Sequence, residues 1–161
     1  MTDIQTTPAT AADPTVAAGS AQFLAPVVRG LQALAVNGKQ AHWNVRGANF
    51  IAIHELLDQI VDHARQAADD AAERIVALGL PIDARTSTIA EKVAPTAVPA
   101  GFTPWQDIVR DMIADMDAVI VDVKAAIEGL DEVDLTSQDV ALAIMQTLEK
   151  DRWFLFAHLA E

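Results

Sequence analysis

Apolar residues recur along most of the chain at the three- and four-residue spacing of an amphipathic helix. The first such stretch runs from Ser20 to about Arg46, and its apolar positions are Phe23, Leu24, Val27, Val28, Leu31, Leu34 and Ala35. The second follows Asn49, a residue type that caps helices, and continues from Phe50 to Leu78 without Gly or Pro. Gly79-Leu80-Pro81 then ends it. The pattern predicts two long helices in the first half of the chain.

The second half of the chain begins with a connection over residues 80–102 that contains several helix breakers: Pro81, Pro95, Pro99 and Gly101. A connection of this length without any structure is unusual in a compact domain, so a short helix is expected around Thr86 to Val93. The next residues combine Thr103 as a cap with Pro104 at the first helical position. They predict the start of a third long helix.

This third helix is expected to reach about Glu128 and to stop at Gly129. An acidic loop over residues 130–135 separates it from a fourth helix, which starts at Thr136 or Ser137 and continues to the end. Four helices without a strand signal predict an all-α antiparallel four-helix bundle with a short extra helix between helices two and three. Residues 1–19 show no apolar period and are predicted to be a flexible tail, so the bundle domain covers residues 20–161.

The composition narrows the class of function. A chain of 161 residues suits one domain, and it has neither an apolar run long enough for a membrane span nor an N-terminal secretory signal. A cytoplasmic protein without a membrane partner is therefore expected. Because the chain has no cysteine, any bound metal must use His, Asp and Glu, which suit iron, manganese or zinc. The formal charge of −12 favours cations over nucleic acid.

The second helix carries the most informative polar pattern. His54 and Asp58 are four residues apart, as are Asp69 and Glu73, and eleven residues separate the two pairs. Eleven steps of about 100° return to within about 20° of the start, so all four side chains share one stripe of the helix. Asp58 and Asp69 lie about 16 Å apart along the axis, too far to bind one ion.

Each pair is therefore half of a site. A two-fold axis near His63 or Ala64 would bring the pair on one copy beside the other pair on a second copy, and two identical metal sites would form between the copies. The alternative is a solvated acidic face, because such pairs are common on long helices. His42, at the end of the first helix, would add a second imidazole to the site, or it is a histidine satisfied by its own surroundings.

A more specific pattern extends over the first two helices and returns in the last. Its members are His42-Trp43-Asn44-Val45-Arg46-Gly47, Asn49-Phe50, His54-Glu55, Asp58, Asp69, Ala72-Glu73-Arg74, Leu78-Gly79, Glu149-Lys150 and Trp153-Phe154. From about residue 22 to the end, the sequence resembles the Dps family of mini-ferritins, which are ferritin-like four-helix bundles. The resemblance implies a hollow homo-dodecamer built from two-fold dimers. It would oxidise Fe(II) with hydrogen peroxide or O2 and store ferric mineral.

The resemblance also implies roles for individual residues. His42, His54 and Asp58 would bind iron from one subunit, and Asp69 and Glu73 from its partner. Trp43 would quench radicals beside the site, or serve only as an interface aromatic. Lys39, one turn before His42, would tune the site or face solvent, and solvent is favoured. Asp131, Asp134 and Asp139 would line a pore for entering cations, or belong to a solvated loop.

Two features separate this chain from many Dps proteins, which bind DNA through basic tails. The first 20 residues contain no Lys or Arg, and the chain is expected to end within a residue or two of its last helix. DNA binding is therefore not expected. Two other functions remain open: a metal-dependent hydrolase, for instance of amide bonds, using the same metal ligands, and a helical scaffold with an acidic face.

Overall fold

The computed structural model describes residues 12–159, and in that range it shows four long helices and one short one. The long helices are α1 (Pro14–Asn44), α2 (Phe50–Ala77), α4 (Trp105–Leu130) and α5 (Leu135–Ala157), and the short helix α3 (Thr86–Lys92) lies between α2 and α4. α1 packs against α2 and α4, while α5 packs against α4 and α2. The predicted all-α bundle with a short extra helix in its second connection is confirmed.

α1 begins six residues before the expected start at Ser20, so residues 14–19 are helical and do not belong to a tail. The reason is a cap that the apolar pattern does not show. The Asp13 carboxylate accepts hydrogen bonds from the main-chain N–H groups of Thr15 and Val16, and Pro14 occupies the first helical position. Of the flexible tail predicted for residues 1–19, residues 1–11 lie outside the described range, as do residues 160–161.

Two very short strands form between the ends of the helices, where none was expected. β1 (Val45–Arg46) pairs in parallel with β2 (Thr103–Pro104), and Val45 lies opposite Thr103. Two residues are too few to produce the alternating pattern that predicts a strand. Thr103 therefore does not cap α4: its hydroxyl donates to the Gly101 carbonyl, and α4 begins one residue after Pro104.

The last two helices also differ from expectation at their ends. Gly129 does not stop α4, which continues to Leu130. The ring of Phe23 on α1 lies where a Cβ at position 129 would be. The glycine thus serves close packing between helices. α5 starts at Leu135, one or two residues earlier than predicted, because Asp134 caps it through the N–H of Thr136.

The core is a continuous apolar layer between the helices. Its largest fully buried side chains are Leu24, Leu31, Leu34, Ile53, Leu57, Ile60, Ile75, Ile108, Met112, Met116, Leu130 and Leu155. A Cβ on Gly38 would come within 2.7 Å of Val61 Cγ2, so glycine lets α1 approach α2 closely. Over residues 12–159 no helix combines the length and the apolar character that a bilayer crossing requires.

Candidate metal centre

Two histidines meet where the last turn of α1 passes the first turn of α2. The rings of His42 and His54 stack with centroids 3.6 Å apart and planes 19° from parallel. His42 Nδ1 lies 2.8 Å from the His54 carbonyl oxygen, and His54 Nδ1 lies 2.9 Å from the His42 carbonyl oxygen. Each residue therefore holds the side chain of the other through its main chain.

This arrangement determines which ring nitrogens are available. A carbonyl oxygen only accepts hydrogen bonds, so Nδ1 of both rings must carry the hydrogen. In the neutral imidazole the lone pair is then on Nε2. Metal-binding histidines in proteins usually have their second nitrogen held in this way, which fixes the tautomer and the ring orientation. Nε2 is therefore the nitrogen through which either ring could bind a metal.

The short turn between α1 and α2 holds the two histidines at this distance. Gly47 has a φ of +115°, which side-chain-bearing residues rarely adopt, and a Cβ there would lie 2.9 Å from Trp105 Cδ1. The pairing of β1 with β2 ties the same turn to the start of α4. The end of α1 that carries His42, which is only 6% exposed, is thus fixed from two sides.

Asp58 lies beside this pair but already has a cation on its carboxylate. Lys39 Nζ is 2.5 Å from Asp58 Oδ1, and His42 Nδ1 is 3.4 Å from the same oxygen. The hydrogen bond from Lys39 is the main reason why the pKa of the Asp58 carboxyl lies below its usual value, and the charges of nearby groups add to it. The expectation that Lys39 faces solvent is therefore wrong.

Asp69 and Glu73 are exposed on the same helix as Asp58, three and four turns further along. Within residues 12–159 of one copy, no three His, Asp or Glu side chains gather closely enough to hold a metal ion. His42 stacks on His54 and has its Nδ1 3.4 Å from Asp58 Oδ1, but these three residues do not form a metal-binding group by themselves, and Asp69 and Glu73 lie apart from them along α2. Their meeting across a two-fold axis stays a prediction.

Arg74, the neighbour of Glu73, pairs with an acid on another helix. Its Nη2 lies 2.7 Å from Asp134 Oδ2, and its Nε donates to the Ser137 hydroxyl at 2.9 Å. The same Asp134 oxygen accepts hydrogen bonds from the hydroxyls of Ser20 and Ser137. Burial alone raises the pKa of Asp134, but the bonds from Ser137 and Arg74 outweigh it and hold the pKa at about 2.

The three predicted pore residues differ in their surroundings within one subunit. The Asp134 side chain is only 11% exposed and joins α1, α2 and α5 through the contacts just described. Asp131 is exposed and accepts a hydrogen bond from Gln138, and Asp139 is exposed on the rim of a groove between α2 and α5. Asp134 therefore has a clear structural role, and the pore itself stays a prediction.

Two further residues near the helices of the site have defined neighbours. Trp43 is 63% exposed, and Lys39 Nζ lies 5.9 Å from the centre of its ring.

The sequence indicates no role for His63, whose Nδ1 lies 2.9 Å from Oδ2 of Asp151 on α5. The Asp151 side chain is only 4% exposed. No sequence pattern signals this pairing, because 88 residues separate the partners.

Comparison with known proteins identifies the class of this fold. The ferritin family, described as a ferritin-like domain, matches residues 24–161. The solved structure of Dps from Microbacterium arborescens in the high iron form is 69% identical and superposes with a TM-score of 0.92, covering 94% of this chain and 99% of that one. The helical bundle and these two matches define a ferritin-like protein.

Curated relatives point to one branch of that class. The DNA protection during starvation protein of Mycolicibacterium smegmatis is 40% identical over 131 residues, which are 75% of this chain and 66% of that protein. The fine tangled pili major subunit of Haemophilus ducreyi is 35% identical over 147 residues, or 90% of this chain and 78% of that protein. The chain therefore belongs to the Dps family, a family of iron-storing mini-ferritins.

Proposed function

We propose that this chain oxidises Fe(II) at sites shared between two subunits and stores the ferric product inside a hollow dodecamer. The observation that carries this proposal is the half-site on one copy. His42 and His54 each have Nδ1 occupied by a main-chain carbonyl, which leaves Nε2 for a metal, and Asp58 lies beside them. Two imidazoles and a carboxylate are ligands that suit iron.

The other half of each site comes, in this proposal, from a second copy. Asp69 and Glu73 are exposed on the same stripe of α2 as His54 and Asp58. Asp69 lies about 16 Å from Asp58 along the helix axis. An antiparallel α2 of a partner subunit would bring its Asp69 and Glu73 to the first half-site, and the symmetry would repeat this at the other end.

The ligand set accounts for the chemistry. Imidazoles and carboxylates bind Fe(II) while leaving positions open for hydrogen peroxide or O2. Oxidation raises the charge of the iron by one unit, and anionic carboxylates stabilise the more highly charged product. Trp43, exposed next to His42, would give an electron to stray radicals formed by the oxidant.

Iron reaches the interior, in the same proposal, through a pore lined by Asp131, Asp134 and Asp139, because rings of carboxylates attract and pass cations. The contacts of Asp134 with Arg74 leave Asp131 and Asp139 as the more accessible members of this set.

The formal charge of −12 on each chain disfavours DNA as a partner. A cytoplasmic protein of this kind would protect its cell from iron and peroxide together.

Two adjacent residues on α2 provide a sharp test. Asp69 and Asp70 are both exposed acids, but consecutive positions on a helix point about 100° apart, so only Asp69 lies on the ligand stripe. We expect Asp69→Asn to slow oxidation of anaerobically loaded Fe(II) by peroxide at least about tenfold, the range seen when a metal-site contact is lost. Asp70→Asn should oxidise Fe(II) like the wild type.

Stopped-flow absorbance of the ferric product measures both variants, and iron retained after gel filtration measures storage. Equal rates for the two variants would refute the shared site. Hydrolysis of an amide substrate that stops on chelation, without iron oxidation by the same preparation, would instead indicate the metal-dependent hydrolase.

A further inference from the structure

In the isolated subunit, the carboxylate of Asp58 already forms an ion pair with a side chain of the same protein. Lys39 lies on α1 one turn before His42, and its Nζ is 2.5 Å from Asp58 Oδ1. The Lys39 side chain is 24% exposed, so its ammonium is partly withdrawn from water to make this contact. Such a contact is short even for a charge-assisted hydrogen bond.

A metal ion and this ammonium would compete for the same oxygen. Metal–carboxylate bonds are about 2 Å long, so an ion on Oδ1 would lie within a few ångströms of Nζ if the lysine stayed in place. Two cations that close repel each other, and a lysine ammonium has no lone pair with which to join the coordination shell. We therefore expect the metal ion and the ammonium to compete for the negative charge of Asp58.

The structure offers the lysine somewhere to go. Its Nζ already lies 5.9 Å from the centre of the Trp43 ring, within the distance at which a cation is attracted to the face of an indole. Trp43 is 63% exposed, so an ammonium that leaves Asp58 would stay near the indole ring while it regains contact with water. The lysine side chain is long and flexible enough for such a movement without any change in the helix.

We propose that Lys39 is a resident cation that a divalent metal must displace from Asp58, so that this lysine sets the metal concentration at which the site fills. The proposal rests on the shared metal site argued above. Lys39 is a positioning residue here, since it acts through Asp58 and touches no reacting atom. Lys39 keeps the Asp58 carboxylate paired while iron is absent. It lowers the affinity of every metal ion that binds through Asp58 by the same factor.

The test is a titration with Co²⁺, which has a visible absorption when bound by imidazole and carboxylate and requires no turnover. Lys39→Met keeps most of the length of the side chain but removes its charge and its donors, so we expect Co²⁺ to bind about two- to fivefold more tightly than in the wild type, the range for a partly exposed ion pair. Lys39→Arg keeps the charge and should bind no more tightly than the wild type.

Lys92→Met is the matched control, because Lys92 is an exposed lysine that pairs with its neighbour Glu91. It should leave the Co²⁺ affinity unchanged. If Lys39→Met does not assemble, Lys39→Gln removes the same charge with a polar side chain and carries the same expectation. Weaker or unchanged Co²⁺ binding in the neutral variant, in a protein whose particle size matches the wild type, would overturn the proposal.

The Asp58→Asn variant separates failure of this proposal from failure of the metal site. Asp58→Asn should weaken Co²⁺ binding, and Lys39→Met added to it should change nothing further, because Lys39 acts only through Asp58. If Asp58→Asn leaves Co²⁺ binding unchanged, the proposed function itself is wrong. If Asp58→Asn weakens binding and Lys39→Met strengthens it equally in both backgrounds, the lysine acts by its general charge and the displacement mechanism is refuted.

Discussion

His42 and His54 hold each other through main-chain carbonyls, and the Asp58 carboxylate lies 3.4 Å from His42 Nδ1. Asp58 therefore carries the negative charge of the half-site, and it forms an ion pair with Lys39. Asp134 has the opposite arrangement: Arg74, Ser20 and Ser137 satisfy it from within the same subunit. In the proposal above, the Asp58 carboxylate exchanges its lysine for a metal ion, whereas the Asp134 carboxylate has a structural role.

The charge of Asp134 can be tested by its pH dependence. Its pKa in the folded protein is about 2, below the ordinary 3.8, so its contribution to stability is fully present above pH 4 and is lost as the pH falls towards 2. We expect Asp134→Asn, which can still cap α5, to lower the free energy of unfolding by about 2 kcal/mol at pH 7.

Urea unfolding of both proteins between pH 7 and pH 2 measures this difference. The gap between wild type and variant should narrow below pH 4, because protonation then removes the charge from the wild type as well. A gap of constant size down to pH 2 would show that the charge of Asp134 does not carry the effect.

The helices are joined by a few specific contacts in addition to the apolar core. Phe23 on α1 covers Gly129 near the end of α4, and His63 on α2 pairs with the buried Asp151 on α5. A buried carboxylate without a partner is destabilising, so the histidine compensates for an acid in the α5 core face. These contacts determine how each helix is placed along its neighbour.

The Phe23 contact leads to a prediction for Gly129→Ala that is opposite to the one from helix propensity. Alanine is a better helix former than glycine by about 1 kcal/mol, yet we expect Gly129→Ala to destabilise the protein by about 1–3 kcal/mol, because its Cβ would overlap the Phe23 ring. Gly101→Ala is the control, since a Cβ there meets nothing within 4 Å. Thermal unfolding measures both, and in a Phe23→Ala background the cost of Gly129→Ala should disappear.

As a whole molecule, one copy carries two separate sets of proposed ligands on α2. His54 and Asp58 lie near its start, and Asp69 and Glu73 lie beyond its middle. Every proposed site would then need two chains, so damage to one chain is not confined to one site. The acidic charge of −12 would be repeated on each subunit of the particle.

Shared sites predict a particular result when two inactive variants are mixed. Asp58→Asn and Glu73→Gln should each abolish oxidation alone. A dimer of the two unlike chains would hold one intact site and one with both ligands lost, so random mixing should restore about one quarter of the sites. Shells unfolded, mixed and reassembled, then assayed for Fe(II) oxidation, test this. No recovery in particles shown to contain both chains would argue that each site belongs to one subunit.

The sequence alone determined the helices and their order, because helix periodicity, caps and breakers act over a few neighbouring residues. It also determined that His54 and Asp58 share a stripe with Asp69 and Glu73, since position on a helix follows from residue number. Tertiary structure decided the partners. Lys39 with Asp58, Arg74 with Asp134 and His63 with Asp151 join residues that are 19, 60 and 88 positions apart. Such pairings depend on how the helices pack, and no local pattern encodes that.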